Sequence, residues 1–197
     1  MRAKVALVAL LCWFTAITVG FTDRRDRAHQ PEKVMDVVGV EPGMVIGEVG
    51  AGRGYFTFWL SRRVGEVGKV YANDIVANVL SSVRDRCERE GITNIETVLG
   101  EVDDPRLPEG ALDMVFIVNA FHDFTRPLAL LDNLISSLKP GAAVVIIDRD
   151  PEKYRDAGNH FKSKEEVLET IAQSDFALDR VETFLSQHNI YIIRPKN

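Results

Sequence analysis

The chain has 197 residues, a formal net charge of −5, 46% hydrophobic residues and 27% charged residues. This length suffices for one domain with a proper core and is too short for two comfortable ones. The acidic balance argues against nucleic acid as a partner, since proteins that bind it concentrate basic residues against phosphates. The two cysteines, Cys12 and Cys87, exclude a disulfide framework and a metal site built on cysteine.

The N-terminus has the layout of a secretory signal peptide. A basic start at residues 1–4 precedes an uncharged run at residues 5–21, with the small residues Thr18 and Gly20 near its end. The run is slightly short of the roughly 20 apolar residues that span a bilayer, and the cleavage signal is weak, so an uncleaved anchor is the alternative. We expect an exported or membrane-anchored protein, and a cytoplasmic one if this leader is not a targeting signal.

The leader divides the chain into three parts. We predict a signal peptide or membrane anchor at residues 1–20, a linker at residues 21–30 and a single domain at residues 31–197. The short basic run in the linker is interrupted by acidic residues, so we interpret it as solvated chain and not as a phosphate-binding patch.

From Pro31 onward, short strand-like runs alternate with amphipathic helices, which is typical of a doubly wound α/β domain with a mainly parallel sheet. The predicted elements, in chain order, are a helix at 32–38, a strand at 44–49, a helix marked by Phe56, Leu60 and Val64, a strand at 69–72, a helix at 76–89, strands at 95–99 and 113–118, a helix marked by Leu128, Leu131, Ile135 and Leu138, a strand at 142–147, a helix that Ser163 begins, and strands at 177–185 and 189–194. The last two strands follow one another without a helix. We therefore expect seven strands, with an antiparallel hairpin at one edge.

A glycine-rich loop lies between the first predicted strand and the helix that follows. Gly50, Gly52 and Gly54 form a Gly-x-Gly-x-Gly motif, and Glu48 stands two residues ahead of it. Glycines let the backbone turn sharply and approach a ligand closely, with the N-terminus of a helix just beyond. A dinucleotide-binding Gly-x-Gly-x-x-Gly motif needs a third glycine where this chain has Tyr55. The spacing therefore favours S-adenosylmethionine (AdoMet) over NAD.

Asp74 strengthens this interpretation. It ends the second predicted strand, about where a ribose-binding acid follows such a loop. A carboxylate at that place can accept hydrogen bonds from both ribose hydroxyls. Alone, Asp74 would be equally well explained as a turn residue or a helix cap, but beside Glu48 and three glycines a binding role is favoured.

These motifs resemble class I AdoMet-dependent methyltransferases, and in particular a branch of exported, predicted small-molecule methyltransferases. The resemblance covers residues 30–194, and its matching segments are 30–35, 48–57, 70–75, 103–108, 121–124 and 138–141. It implies a Rossmann-like methyltransferase domain that uses AdoMet to methylate a small-molecule or lipid-like acceptor. It implies no nucleic-acid partner, and membrane association is expected only through residues 5–20.

The resemblance also implies which residues hold AdoMet. Glu48 and the backbone of Gly50, Gly52 and Gly54 would bind its methionine end, next to Tyr55. Four departures from the family pattern remove no required carboxylate or backbone group: Glu48, Arg53, Asn73 and Ala142.

The remaining AdoMet contacts are implied along the edge of the sheet. Asp74 would bind the ribose and Ile75 would lie against the adenine. Asp103 is the candidate for the adenine amino group, with Glu101 as its competitor. Asn119, at the end of the fourth strand, would face the methionine moiety.

Two histidines are candidate catalytic residues. His122 follows the fourth strand and could take a proton from a hydroxyl or amine acceptor, or it could instead order its loop through backbone hydrogen bonds. His160 follows the fifth strand and could close over the site, or it could belong to the start of the next helix. No metal ligands are predicted.

Two other functions share the same motifs. The chain could bind AdoMet without catalysis, or it could catalyse another AdoMet-type reaction such as aminopropyl transfer. The latter needs an acidic pocket for a polyamine, which Asp148, Asp150 and Glu152 could provide. The acceptor and the oligomeric state are not encoded in any motif.

Overall fold

A computed structural model describes residues 24–154 and 160–196, and the predicted leader lies outside these ranges. The helices are α1 (Arg24–His29), α2 (Pro31–Val38), α3 (Tyr55–Val64), α4 (Ala77–Glu90), α5 (Pro127–Ile135) and α6 (Lys164–Gln173), with a 3-10 turn at Phe121–Asp123. The strands are β1 (Val45–Val49), β2 (Lys69–Asp74), β3 (Ile95–Leu99), β4 (Leu112–Val118), β5 (Leu138–Arg149), β6 (Phe176–Glu182) and β7 (His188–Pro195). Among the described residues, none of the helices has the length and apolar character needed to span a membrane.

The strands form one sheet in the order β3-β2-β1-β4-β5-β7-β6. β1 to β5 are parallel, whereas β7 runs antiparallel to both β5 and β6. This confirms the predicted doubly wound α/β fold with seven strands and an antiparallel C-terminal hairpin. The strand order reverses direction between β1 and β4. In open sheets of this kind, ligands bind outside the carboxyl ends of the strands at that reversal.

The core lies on both faces of the central strands. In β4, Val115 and Ile117 pack against α5 and α6, while Met114 and Phe116 pack against α2 and α3. A strand that is covered on both faces is apolar at nearly every position, and β4 has this composition. The central strands are thereby held rigidly, and the residues that follow them at their carboxyl ends are positioned by that core.

Helix ends follow the predicted signals. Pro31 begins α2, and Gly39 ends it with φ of 81°, a left-handed conformation that glycine adopts at no steric cost. Ser163 caps α6 and forms a capping box with Glu166, in which each side chain bonds to the other residue's backbone N–H.

The prediction was wrong at the boundary between α5 and β5. Helix α5 ends at Ile135, and Leu138 instead begins β5, where it pairs with Leu112 of β4. The register shifts just after this pair, which accommodates Pro140 and Gly141 inside the strand. Gly141 has φ of 80°, so the Pro-Gly pair bends the strand there and does not terminate a helix.

The segment predicted as a linker contains helix α1. Its last residue, His29, is buried against the sheet edge and reaches residues at the ends of β4 and β7. This contact anchors the short helix, whose other residues are mostly charged.

Candidate cofactor and acceptor site

Two adjoining cavities lie at the carboxyl edge of the sheet, where the strand order reverses. The first, of about 370 Å³, lies beside β1, β2 and β4, and the residues used below that line it are Gly50, Asp74, Ile75, Glu101 and Asn119. The second, of about 470 Å³, lies over β1 and the start of α3, and includes Glu48, Gly50, Gly52, Tyr55 and Asn119. The two cavities share Gly50 and Asn119, so they form one crevice with two compartments.

The glycines of the loop have different roles. Gly50 has φ of 75°, and a Cβ there would lie 2.5 Å from the Cβ of Ala120. Gly52 has φ of 55°, yet a Cβ there would meet no atom within 4 Å, because the position opens into the second cavity. Gly54 caps α3 and lies so close to Phe58 that a Cβ would come within 2.8 Å of that ring. Gly50 and Gly52 therefore shape the cavity, whereas Gly54 packs the helix behind it.

Asp74 ties the glycine loop to the end of β2. Its Oδ2 accepts a hydrogen bond of 2.9 Å from the backbone N–H of Gly52, and its Oδ1 accepts one of 2.9 Å from that of Val76. The carboxylate also lines the first cavity next to Ile75, whose side chain is 54% exposed. A carboxylate beside an exposed apolar side chain suits a ribose attached to a flat base.

We expect Asp74→Ala to weaken AdoMet binding by roughly 1–3 kcal/mol, the cost of leaving buried hydroxyl groups without a partner. Calorimetric titration with AdoMet measures this. Asp104→Ala is a matched control, because Asp104 also accepts a backbone N–H two residues ahead, at Arg106, but does not line either cavity. Equal AdoMet affinity in the Asp74 and Asp104 variants would contradict the ribose assignment.

The two acids considered for the adenine occupy different places. Asp103 lies outside both cavities, and its Oδ2 accepts a hydrogen bond of 2.7 Å from Nη1 of Arg126. Glu101 lines the first cavity, where its carboxylate pairs with Arg106. The structure therefore brings Glu101, and not Asp103, to the compartment that contains Asp74 and Ile75.

Glu48 is a buried acid on the floor of the second cavity. Burial raises its pKa to about 8, opposed by a hydrogen bond that the hydroxyl of Thr57 donates to Oε2 and reinforced by the charge of Asp74. At neutral pH the carboxyl is therefore mainly protonated in the ligand-free protein. A cationic ligand group in this cavity would favour the ionised form, as the ammonium group of a methionine does.

This buried acid predicts a pH dependence of stability. In the unfolded chain Glu48 ionises near its ordinary pKa of 4.5, but in the folded protein it ionises only near 8. The stability that depends on protonated Glu48 is therefore fully present below about pH 4.5 and is lost as the pH rises through 8. Over this range the free energy of unfolding should fall by about 5 kcal/mol. We expect Glu48→Gln to reduce this loss in denaturant unfolding across that range. Glu41→Gln, at an exposed position, is the control and should leave the wild-type curve unchanged.

Asn119 lies where the cavities meet. It has φ of 51°, its Nδ2 lies 2.5 Å from Nε2 of His29, and its Oδ1 is buried without a hydrogen-bond partner among the described residues. Nδ1 of His29 lies 3.0 Å from the carbonyl oxygen of Arg25, so it carries the proton and Nε2 accepts from Asn119. Burial lowers the pKa of His29, which keeps this ring neutral. The free amide oxygen of Asn119 is thus available to a ligand donor.

Helix α1 covers the second cavity. The hydroxyl of Tyr55 donates a hydrogen bond of 2.7 Å to Asp26, and the guanidinium of Arg25 lies 4.7 Å from the centre of the Tyr55 ring. Tyr55, predicted as a cofactor contact, lines this cavity and also joins α1 to α3.

His122 and Asp148 form a buried pair at the ends of β4 and β5. Oδ1 of Asp148 lies 2.7 Å from Nδ1 of His122, and Oδ2 accepts the backbone N–H of His122 at 2.8 Å. Both side chains are at least 95% buried, with exposures of 5% and 3%. A carboxylate at Nδ1 holds the proton on that nitrogen and leaves Nε2 as an acceptor. Asp148 therefore fixes the tautomer that a proton acceptor needs.

His160 is brought beside this pair. The rings of His122 and His160 lie 4.9 Å apart, and Asp123 lies between them, 3.5 Å from Nε2 of His122 and 3.6 Å from Nε2 of His160. One donor atom from each of the three residues lies within 4.8 Å of the others, so this is a place where the described chain could hold a divalent cation. His160 and Asp123 are both 62% exposed, in contrast to His122.

Three residues of this region had no clear sequence signal. Asp148 is buried against His122, 26 positions away, and does not belong to an open acidic pocket. Arg149 lines the second cavity. His188 begins β7 and stacks on His29 at a ring distance of 4.5 Å. An alternating charge or hydropathy pattern does not reveal contacts of this kind, since they join separate strand ends.

Comparison with known proteins agrees with this site. The family described as a methyltransferase domain matches residues 46–141, which include the glycine loop, Asp74 and Asn119. The crystal structure of a SAM-dependent methyltransferase from Aquifex aeolicus is 31% identical, with a TM-score of 0.80, and the match covers 86% of this chain and 92% of that one. The chain belongs to the AdoMet-dependent methyltransferases.

Two further methyltransferases are similar at lower identity. A ubiquinone/menaquinone biosynthesis C-methyltransferase from Hydrogenovibrio crunogenus is 27% identical over 115 residues, which is 58% of this chain and 45% of that protein. The chain spans about half the length of the curated relatives that it matches. A geranyl diphosphate C-methyltransferase from Streptomyces coelicolor, 15% identical with a TM-score of 0.69 over 87% of this chain and 80% of that one, shares the fold.

AdoMet is the cofactor of the family to which the chain belongs, and the two cavities fit it. The open position at Gly52 and the carboxylate of Asp74 border these cavities, and the unpartnered oxygen of Asn119 belongs to a residue that lines both. Asp74 and Ile75 would hold the adenosine half, and Glu48, Gly52 and Asn119 the methionine half.

Proposed function

We propose that this protein transfers a methyl group from AdoMet to a small-molecule or lipid-like acceptor that binds beside His122. AdoMet supplies a methyl group that its sulfonium has already activated for in-line displacement. The chain must then position the acceptor and exclude water. The observation that supports the proposal most directly is the buried His122–Asp148 pair next to the cofactor crevice, at the carboxyl end of the adjoining strands.

Each residue of the acceptor region has a role in this proposal. His122 is the catalytic residue, and its Nε2 accepts the proton that a hydroxyl or amine acceptor loses. Asp148 is a positioning residue, since it acts through the imidazole of His122. His160 and Asp123 form the solvent-exposed side of the acceptor site beside His122. In this proposal His160 contacts the bound acceptor.

The names of similar proteins are consistent with a small acceptor. Relatives are described as methyltransferases of ubiquinone and menaquinone biosynthesis, and a structural neighbour as a methyltransferase of geranyl diphosphate. Both are small or lipid-like molecules.

Aminopropyl transfer is less well supported than methyl transfer. Asp148 and Asp150 are buried and bonded to His122 and Asn189, so neither carboxylate offers a surface to a polyamine. The second cavity is lined by several arginines, which would repel a cationic acceptor.

Calorimetry on the full-length protein tests the first half of the proposal. AdoMet and S-adenosylhomocysteine should bind, and NAD should not. Incubation with radiolabelled AdoMet and candidate acceptors then tests transfer, with the Asp74→Ala variant as the control that lacks the ribose contact. Binding of AdoMet without transfer to any quinol, phenol, amine or carboxylate would favour the non-catalytic alternative.

A further inference from the structure

Buried polar atoms without partners concentrate at one place in the described chain. They belong to Asn119, Arg149, His188 and Asn189, at the carboxyl ends of β4 and β5 and the start of β7. Buried polar groups are nearly always hydrogen-bonded, so each exception needs a cause such as a ligand or water. Asn119 and Arg149 line the second cavity, and His188 is the register partner of Arg149, so these three residues indicate that a polar ligand binds there.

Arg149 is the strongest of these groups. Its Nε is buried, and its guanidinium makes no hydrogen bond or ion pair with any residue in the described ranges. It lies instead against two aromatic rings, 4.9 Å from the centre of Tyr154 and 5.1 Å from that of Phe161. A guanidinium that lies against aromatic rings can still donate its planar set of N–H groups to a carboxylate or phosphate.

His188 lies beside this arginine. The two residues are register partners across β5 and β7, so their side chains leave the same face of the sheet. Burial and the nearby cations lower the pKa of His188 to about 3, so the ring is neutral and neither of its nitrogens has a partner among the described residues. A neutral imidazole offers one N–H donor beside the guanidinium without adding charge.

The electrostatics of the second cavity agree with an anionic ligand. Arg25, Arg53, Arg86 and Arg149 line it, and Glu48 is the acid among its lining residues. Arg86 is paired with Glu90, and the carboxylate of AdoMet would compensate one further guanidinium near its methionine end. Arg149 forms no ion pair among the described residues, so an anionic group of a second ligand would compensate it.

We propose that Arg149, with His188 beside it, forms a binding site for a carboxylate or phosphate group of the methyl acceptor. The acceptor is therefore an anionic small molecule, or a lipid-like one with an anionic head. This inference rests on the proposed methyl transfer, since it assigns the acceptor to the same crevice.

The geometry also limits the size of that acceptor. The ring of Phe161 contacts both groups, with its centre 4.5 Å from the centre of the His122 ring and 5.1 Å from the guanidinium carbon of Arg149. The imidazole and the guanidinium are therefore separated by no more than the sum of these two distances. A single aromatic ring or a short chain spans that separation.

Three phenyl compounds test this inference by calorimetry on the full-length protein saturated with S-adenosylhomocysteine. Benzoate and phenyl phosphate are anionic, and benzamide is a neutral analogue of benzoate. We expect at least one anion to bind about 10- to 100-fold more tightly than benzamide, as a hydrogen-bonded charge pair predicts. Which anion binds better distinguishes a carboxylate acceptor from a phosphate acceptor.

Substitutions at Arg149 and Arg86 test whether the preference for anionic compounds depends on Arg149. Arg149→Met should abolish the preference for the anions, and Arg149→Lys should retain part of it. Arg86→Met is the matched control: Arg86 lines the same cavity but is paired with Glu90, so its loss should leave the preference intact. No preference in the wild-type protein, or a preference that survives in Arg149→Met, would overturn the inference. Failure to bind S-adenosylhomocysteine would instead overturn the proposed function.

Discussion

Replacing His122 by alanine is expected to lower methyl-transfer turnover by roughly 10²–10⁴-fold, the usual contribution of a positioned general base. The affinity for AdoMet should barely change, because His122 lines neither cavity. The physical reason is the pair with Asp148, which holds the proton on Nδ1 and leaves Nε2 to accept one from the acceptor. Turnover and AdoMet affinity, measured on the same preparation, give the result.

His122→Asn separates catalysis from loop order. The asparagine amide can donate to Asp148 in place of the imidazole Nδ1, but it has no titratable nitrogen. If His122 only orders its loop, the asparagine variant should recover both thermal stability and turnover. If it is the base, stability should recover and turnover should remain low.

A divalent cation bound beside His122 would make turnover depend on metal, which proton transfer to His122 alone would not. Treatment with EDTA would remove a divalent ion held by His122, Asp123 and His160. Turnover that is unaffected by EDTA is expected for proton transfer to His122, and loss of turnover that zinc or another divalent ion restores would show that the histidines act as metal ligands. His160→Ala should have a smaller effect than His122→Ala, since His160 is largely exposed and has no buried carboxylate partner.

Most of the fold was predictable because its signals are local. A buried parallel strand, a proline at a helix start and a capping box each depend on neighbouring residues, as at Pro31 and Ser163. The prediction failed at Leu138, because a leucine at helical spacing was indistinguishable from one that begins a strand. The pairing with Leu112 that decides between the two is a tertiary contact.

The parts of the candidate site also differ in how far the sequence predicts them. Gly52 and Asp74 are 22 residues apart, and their spacing reflects the single strand-helix-strand unit that places them together. The His122–Asp148 pair and the Arg149–His188 neighbourhood depend on which strand ends are adjacent in the sheet. Neither was recognisable until the order of β4, β5 and β7 was known.

Replacing Gly52 by valine is expected to weaken AdoMet binding more than the roughly 1–3 kcal/mol expected for Asp74→Ala. A Cβ at this position meets no protein atom within 4 Å, so the new side chain would point into the cavity and occupy ligand space. The variant should therefore fold while losing its cofactor, which calorimetric titration with AdoMet and thermal unfolding measure together.

Backbone strain must be separated from this blockage, because Gly52 has φ of 55° and a β-branched residue is unfavourable there. Gly110→Val is the matched control: Gly110 has φ of 58°, also meets no atom within 4 Å, and lines neither cavity. Both variants should lose similar stability, since their strain is alike. Only Gly52→Val should lose AdoMet. Equal affinity in the two variants would mean that the loop backbone does not approach the cofactor at Gly52, and the methionine half of the site would then need to be placed elsewhere in the crevice.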